Sequence, residues 1–186
     1  MSIIIADITN TEEARKTRKV EIYKNEVYKD IDLITYKHVE GNSLANPESR
    51  NAIAADNSEE MDGSVIARYV EFRDARLRRL VSFALVARPQ EYSDDDLTLD
   101  DRKYRYWFSL PESFNDNLLE PLAEYFHRFL VWGALYDWYS QFGMPQAAVY
   151  GKDLEDLEAD IKNTLRTPSI AKRPMQPFGP AYKIPL

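Results

Sequence analysis

Residues Leu118–Phe142, LLEPLAEYFHRFLVWGALYDWYSQF, decide the fold. Phe126, Phe129, Leu130, Trp132, Leu135, Tyr136, Trp138 and Tyr139 place apolar or aromatic groups on nearly every face of a helix. A helix that is hydrophobic all round is surrounded by protein on most sides. Its most apolar part, Phe126 to Tyr139, is too short for a bilayer and carries Arg128 and Asp137. The stretch therefore predicts the centre of a helical scaffold. Asn115 or Asp116 caps its start, Pro121 falls in the first turn or marks a break, and Gly143 is a natural C-cap. An Asp137 buried between Tyr136 and Trp138 must be paired, because an isolated carboxylate in an apolar setting is costly. An arginine from the arginine-rich helix upstream, which carries Arg68 to Arg79, is the expected partner, in a structural role.

Downstream, Pro145 opens a last helix with a narrow stripe of Ala148, Leu154, Leu157, Ile161 and Leu165. Asp153, Glu155, Asp156 and Glu158 precede Lys162 and Arg166, the charge order a helix dipole prefers. The short connection predicts an antiparallel helix pair. Upstream, Tyr104, Tyr106, Phe108 and Leu110 alternate within Lys103 to Leu110, and Pro111 closes that segment. Period two with aromatics is a strand signal. One strand needs a partner, which is Ile3-Ile4-Ile5, another region of this chain, or a neighbouring subunit.

Two further helices are expected. Ser58-Glu59-Glu60-Met61 resembles a helix start, and Ile66, Tyr69, Val70, Leu77, Leu80, Val81, Ala84 and Leu85 follow at helical spacing until Pro89. Its exposed face is expected to carry Arg68, Arg73, Arg76, Arg78 and Arg79. Near the start of the chain, Val20, Tyr23, Val27, Ile31 and Ile34 recur at three and four residues after Ala14, and Gly41-Asn42 closes the element. Ile22 and Leu33 lie off that stripe, so part of this region also fits a strand.

The expected fold is mainly α: four helices, one short aromatic strand or hairpin, and extended N- and C-terminal arms. Residues 1–166 read as a single helical domain, with a mobile loop at about 42–58 and an acidic connector at about 90–102. Residues 167–186 form an extended arm, since Pro168, Pro174, Pro177, Pro180 and Pro185 exclude helix. Lys172, Arg173, Met175, Phe178 and Tyr182 make that arm basic and sticky, as befits a segment that lies on a surface.

Composition narrows the chemistry. With 186 residues the chain can bury a sizeable core without staples. No cysteine means no disulfide, thiolate metal site or cysteine nucleophile. Two histidines, His38 and His127, leave little for His-based catalysis or zinc binding. Glycine-rich phosphate-binding and dinucleotide fingerprints are missing, as is a nucleophile elbow. Asp94, Asp96, Thr98 and Asp100 open like a calcium loop, but Leu99 replaces its glycine and Arg105 its bidentate glutamate. Glu120 with Glu124, or Asp137 with His127, are the candidate acid–base pairs; His127 reads better as a hydrogen-bonded core or interface residue. No catalytic, cofactor-binding or metal-binding residue is assigned, and no cofactor is expected. The net charge of −7 argues against nucleic acid over the whole surface, though the arginine helix keeps that reading alive. The first residues lack the pattern of a signal peptide, so folding in a reducing cytoplasm with no membrane contact is expected.

The long aromatic helix, then Pro145-Gln146-Ala147-Ala148-Val149-Tyr150, Leu154, Leu157 and Ile161, and the basic-proline run Ala171-Lys172-Arg173-Pro174, resemble the head–tail adaptor (connector) proteins of tailed phages and prophages, including those of Bacteroidetes prophages. The resemblance covers about residues 115 to 180. It implies a non-enzymatic virion structural subunit at the neck that forms a ring and contacts portal or tail proteins. The host cytoplasm, and then the virion, would be its location. In such a ring the arm would dock on a neighbour through Met175, Phe178 and Tyr182, with Lys172 and Arg173 at the rim. An acidic patch, Asp94 to Asp101 or Asp153 to Glu158, would face the arginines, among them Arg68, Arg76 and Arg79. The alternative classes are a nucleic-acid-associated or regulatory helical module using the arginine helix, and a small carboxylate-based hydrolase.

Overall fold

The computed structural model describes residues 14–41, 65–87 and 102–166. Strand β1 (Arg15–Tyr23) runs directly into α1 (Lys24–Gly41). Helix α2 (Val65–Leu80), β2 (Lys103–Pro111), a 3-10 turn (Asp116–Leu118), α3 (Leu119–Gln141) and α4 (Gln146–Arg166) follow. The protein is mainly α, with four helices and a two-stranded antiparallel sheet among the described residues.

Helix α3 is the hub. It packs against α1, α2, α4 and β1, and Leu122, Phe126, Phe129, Leu130, Ala134, Leu135 and Tyr139 are fully enclosed. Its largely apolar surface demands neighbours on most sides, and the other elements are those neighbours, while Glu120, Glu124 and Arg128 mark the side left to solvent. Trp132 is an exception within the stretch. It is only half-buried, with the Arg128 guanidinium 5.9 Å from its ring, so it borders the core. Gly143 (φ 62°) ends the helix in the left-handed conformation that glycine adopts without strain, and Met144 N–H donates to Tyr139 O at 2.9 Å. The chain then reverses into α4, which buries Leu154, Leu157, Ile161 and Leu165 against α3. Ala148, by contrast, is exposed.

The aromatic strand finds its partner within the described chain. Tyr104 pairs with Ile22, Tyr106 with Val20 and Phe108 with Arg18. The expected helix from Ala14 is thus corrected: residues 15–23 are strand, and helix begins only at Lys24. Val20 and Tyr23 fit one face of a helix, but Val20 and Ile22 are the two that face the core while Tyr23 is exposed, which only alternation allows. The hydrogen-bonding edge of β2 settles the choice. On the outer face Glu21 gathers Lys19 (2.8 Å), Lys103 (3.3 Å) and Arg105 (3.0 Å), and the Lys103 ammonium lies 4.4 Å from the Tyr23 ring. Burial opposes ionisation of Glu21, but the Lys19 and Lys103 ammonium groups hold its pKa below the usual value.

Helix α2 also ends earlier than its periodicity predicts. After Leu80 the chain turns, and Leu85 forms a bridge to Phe108 on the free edge of β2. Val86 N–H donates to Trp107 O and Ser109 N–H to Ala84 O, each at 2.9 Å. A strand edge beside an apolar segment captures it, because the backbone groups there must be paired. Pro89 and the expected mobile loop lie outside the described residues. So do Ile3-Ile4-Ile5, nearly all of the acidic connector, and the C-terminal arm with Lys172, Arg173, Met175, Phe178 and Tyr182.

Beyond β2, Asp116 accepts from Arg18 (2.8 Å) and Lys16 (3.0 Å), tying the turn before α3 to β1. These cations lower the Asp116 carboxyl to about 2 from an ordinary 3.8. A depressed carboxylate stabilises the fold above its ordinary pKa, and that contribution is lost as pH falls toward about 2. NMR titration should place the Asp116 side chain near that value, and Arg18→Gln should move it back toward 3.8. An unmoved titration in the variant would show that Arg18 does not set it.

Candidate functional site

The arginine helix divides by what each guanidinium touches. Arg73 faces inward. It is 2% exposed, and its Nε and Nη2 donate to Asp137 Oδ2 at 2.7 Å and Oδ1 at 2.5 Å. This is the partner expected for the carboxylate between Tyr136 and Trp138. It also corrects the placing of Arg73 on an exposed face. The guanidinium lies 5.3 Å from the Tyr136 ring and 5.9 Å from the Phe72 ring. Gly133 makes room for it, since a Cβ there would come within 2.5 Å of Arg73 Cδ.

Arg78 turns toward the sheet. Its Nε donates to Asp74 Oδ2 (2.7 Å), and its guanidinium covers the Tyr106 ring at 4.8 Å. The Tyr106 hydroxyl donates to Asp74 Oδ1 at 2.6 Å. Burial first, and then the Asp74 charge, pushes that phenol well above its ordinary pKa. One turn earlier, Tyr104 donates to Glu71 Oε1 (3.0 Å), which also accepts from Lys24 Nζ (3.2 Å). Burial raises the Tyr104 hydroxyl as well, with the nearby Tyr28 and Glu71 adding to the effect. Both acids of α2 are therefore committed internally.

Arg76 reaches across to Glu158 of α4 (2.7 Å) while staying half exposed. Arg68 and Arg79 are exposed and hold no side-chain ion pair among the described residues. Of the three α2 residues expected at an interface, Arg68 and Arg79 are fully available and Arg76 partly so. Around Arg68 lies an open groove of about 600 Å³, lined also by Tyr69, Phe72, Asp137, Ser140 and Gln141. Phe72 is 58% and Phe142 48% exposed, and Phe142 stacks edge-on with Trp138 at 5.0 Å. The indole Nε1 of Trp138 is buried without a hydrogen-bond partner among the described residues.

The candidate acid–base residues do not converge as paired in the sequence. His127 Nε2 meets Asp30 Oδ2 of α1 at 2.8 Å, while Asp137 is held by Arg73. Glu124 is ion-paired with Arg128, one turn along, and Glu120 is exposed. A second open groove, of about 450 Å³, collects Glu21, Glu26, Asp30, Glu124 and His127 with Lys29. Among the described residues no group of histidines and carboxylates has the arrangement of a metal site, and no helix is long and apolar enough to cross a membrane. Sequence reasoning misses Glu21 because residues 15–23 fit a helical period, and it misses Glu26 and Asp30 because no period says that α1 lies beside His127 of α3.

Neither protein-family models, curated proteins nor solved structures yield a match to this chain.

Arg73→Met and Asp137→Leu should each cost about 3–5 kcal/mol in chemical denaturation, because either leaves a charge unpaired in an apolar setting. Combining Arg73→Met with Asp137→Leu should recover a large part of that loss. Strict additivity of the two changes would show that the residues do not act as a pair.

Proposed function

We propose that the chain is a non-enzymatic structural subunit that assembles with copies of itself, in the manner of the phage-like head–tail connectors its second half resembles. The observation that carries this reading is the exposed aromatic and arginine surface along α2 and the end of α3. There Phe72 stands in solvent beside Arg68, which holds no side-chain ion pair among the described residues, and Phe142 is exposed at the end of α3. Aromatics and arginine are the residues that dominate protein contacts. The scaffold beneath is braced by the buried Arg73–Asp137 pair and by an α3 packed on most sides, as a rigid building block requires. In this reading Lys172, Arg173, Met175, Phe178 and Tyr182 of the arm reach a neighbouring copy or a portal or tail protein, and nucleic acid plays no part. Two of the five arginines of α2, Arg73 and Arg78, are spent on internal acids, which weakens the case for a phosphate-binding face.

The test is the mass of the purified chain, alone and with candidate neck proteins, by light scattering. Oligomers, or complexes with such partners, are expected. A chain ending at Arg166 should keep its helical circular dichroism and lose association. A monomer that binds none of these proteins would overturn the reading. So would DNA binding that weakens steeply with salt, the mark of a nucleic-acid module.

A further inference from the structure

The surface of α2 has a counterpart elsewhere on the same molecule. Buried Ile66, Val70, Arg73 and Leu77 mark the inward face of α2, so the opposite ridge is Arg68, Phe72, Ala75 and Arg79, all exposed. These positions step by four, three and four residues, a continuous stripe along a helix. The four stripe positions carry no acid: Asp74 is buried against Tyr106, and Glu71, half exposed at the edge of the stripe, is held by Tyr104 and Lys24.

On α4 the inward face is Leu154, Leu157, Ile161 and Leu165, and Glu158 marks the flank that meets α2. At roughly 100° per residue, Val149, Asp153, Asp156 and Asp160 fall together on the other flank, away from α2. They too step by four, three and four. The three aspartates hold no ion pair among the described residues, and Val149 is 61% exposed. One molecule thus presents a basic stripe with a large aromatic and an acidic stripe with one large apolar group, on different sides and with equal spacing.

We infer that the α2 ridge of one copy docks on the Val149–Asp160 flank of α4 in the next copy. With the two helices side by side and parallel, Arg79 would lie level with Asp160 and Arg68 within one turn of Asp153, and the Phe72 ring, tilted toward its helix N-terminus, would cover the turn between Val149 and Asp153. The occupant is a second copy because its charge, its apolar anchor and its helical spacing all complement the ridge. Matching a molecule's one surface to its different other surface makes a heterologous contact, which builds rings or filaments rather than closed pairs. This inference rests on the reading of the chain as a self-assembling subunit, and it names the surfaces involved.

Charge reversal in the full-length chain tests it. Arg68→Glu with Arg79→Glu leaves both stripes acidic, and Asp156→Arg with Asp160→Arg leaves both basic. Each double variant alone should assemble roughly ten- to a hundredfold more weakly than wild type, with unchanged circular dichroism and melting. Mixing the two should restore assembly, because each stripe then finds its opposite on the other variant. Added salt should weaken wild-type assembly. Wild-type assembly that survives both reversals would overturn this interface and leave the structural-subunit reading standing. A wild-type chain that stays monomeric at low salt would overturn the interface; with no binding to neck proteins either, it would overturn both.

Discussion

The buried pair between Arg73 and Asp137 is the constraint on which the rest of the arrangement depends. Helix α3 is enclosed on most sides, yet it carries a carboxylate in its apolar wall. That carboxylate is tolerable only if a cation is brought to it with matching geometry, and two parallel N–H···O contacts supply this. The guanidinium in turn needs space, which Gly133 leaves by lacking a side chain. Aromatic rings of Phe72 and Tyr136 flank it. The result pins the register of α2 on α3, since a slip of one residue along either helix would separate the charges.

The same helix is pinned a second time from the sheet. Tyr106 and Arg78 share Asp74, while Tyr104 and Lys24 share Glu71. These phenols come from β2, so the strand and α2 hold one another through buried oxygen atoms as well as through apolar contact. Partners on several sides explain why an otherwise small sheet is stable: β1 pairs one edge of β2, the Leu85 bridge covers the other, and α3 supports the face. The polar groups used in this way are engaged within the molecule, although Glu71 and Arg78 stay partly exposed. What α2 leaves unpaired toward solvent among the described residues is therefore a selected remainder, Arg68, Phe72 and Arg79, instead of the full arginine run in its sequence.

Much of the architecture was legible in the order of residues. The aromatic stretch around Phe126 and Phe129, the hairpin at Gly143, the stripe of Leu154, Leu157 and Ile161, and the alternating Tyr104, Tyr106 and Phe108 each have one period and one end signal. The need of Asp137 for an arginine also followed from its neighbours. Residues 15–23 were harder to read, because Val20, Tyr23 and Val27 satisfy the helical period while Val20 and Ile22 satisfy the strand period. Likewise Ala84 and Leu85 continue the spacing of α2, yet the open edge of β2 takes them.

By itself, the sequence determined the mainly helical class, the buried central helix and the existence of a paired carboxylate, because hydrophobic period and the cost of an isolated charge are local properties. Only the tertiary structure decided which of the five arginines of α2 answers that carboxylate, which strand completes the sheet, and which charges remain outside. Each of those outcomes depends on residues distant in the chain arriving at the same place, and a helical period assigns a face without saying what will lie against it.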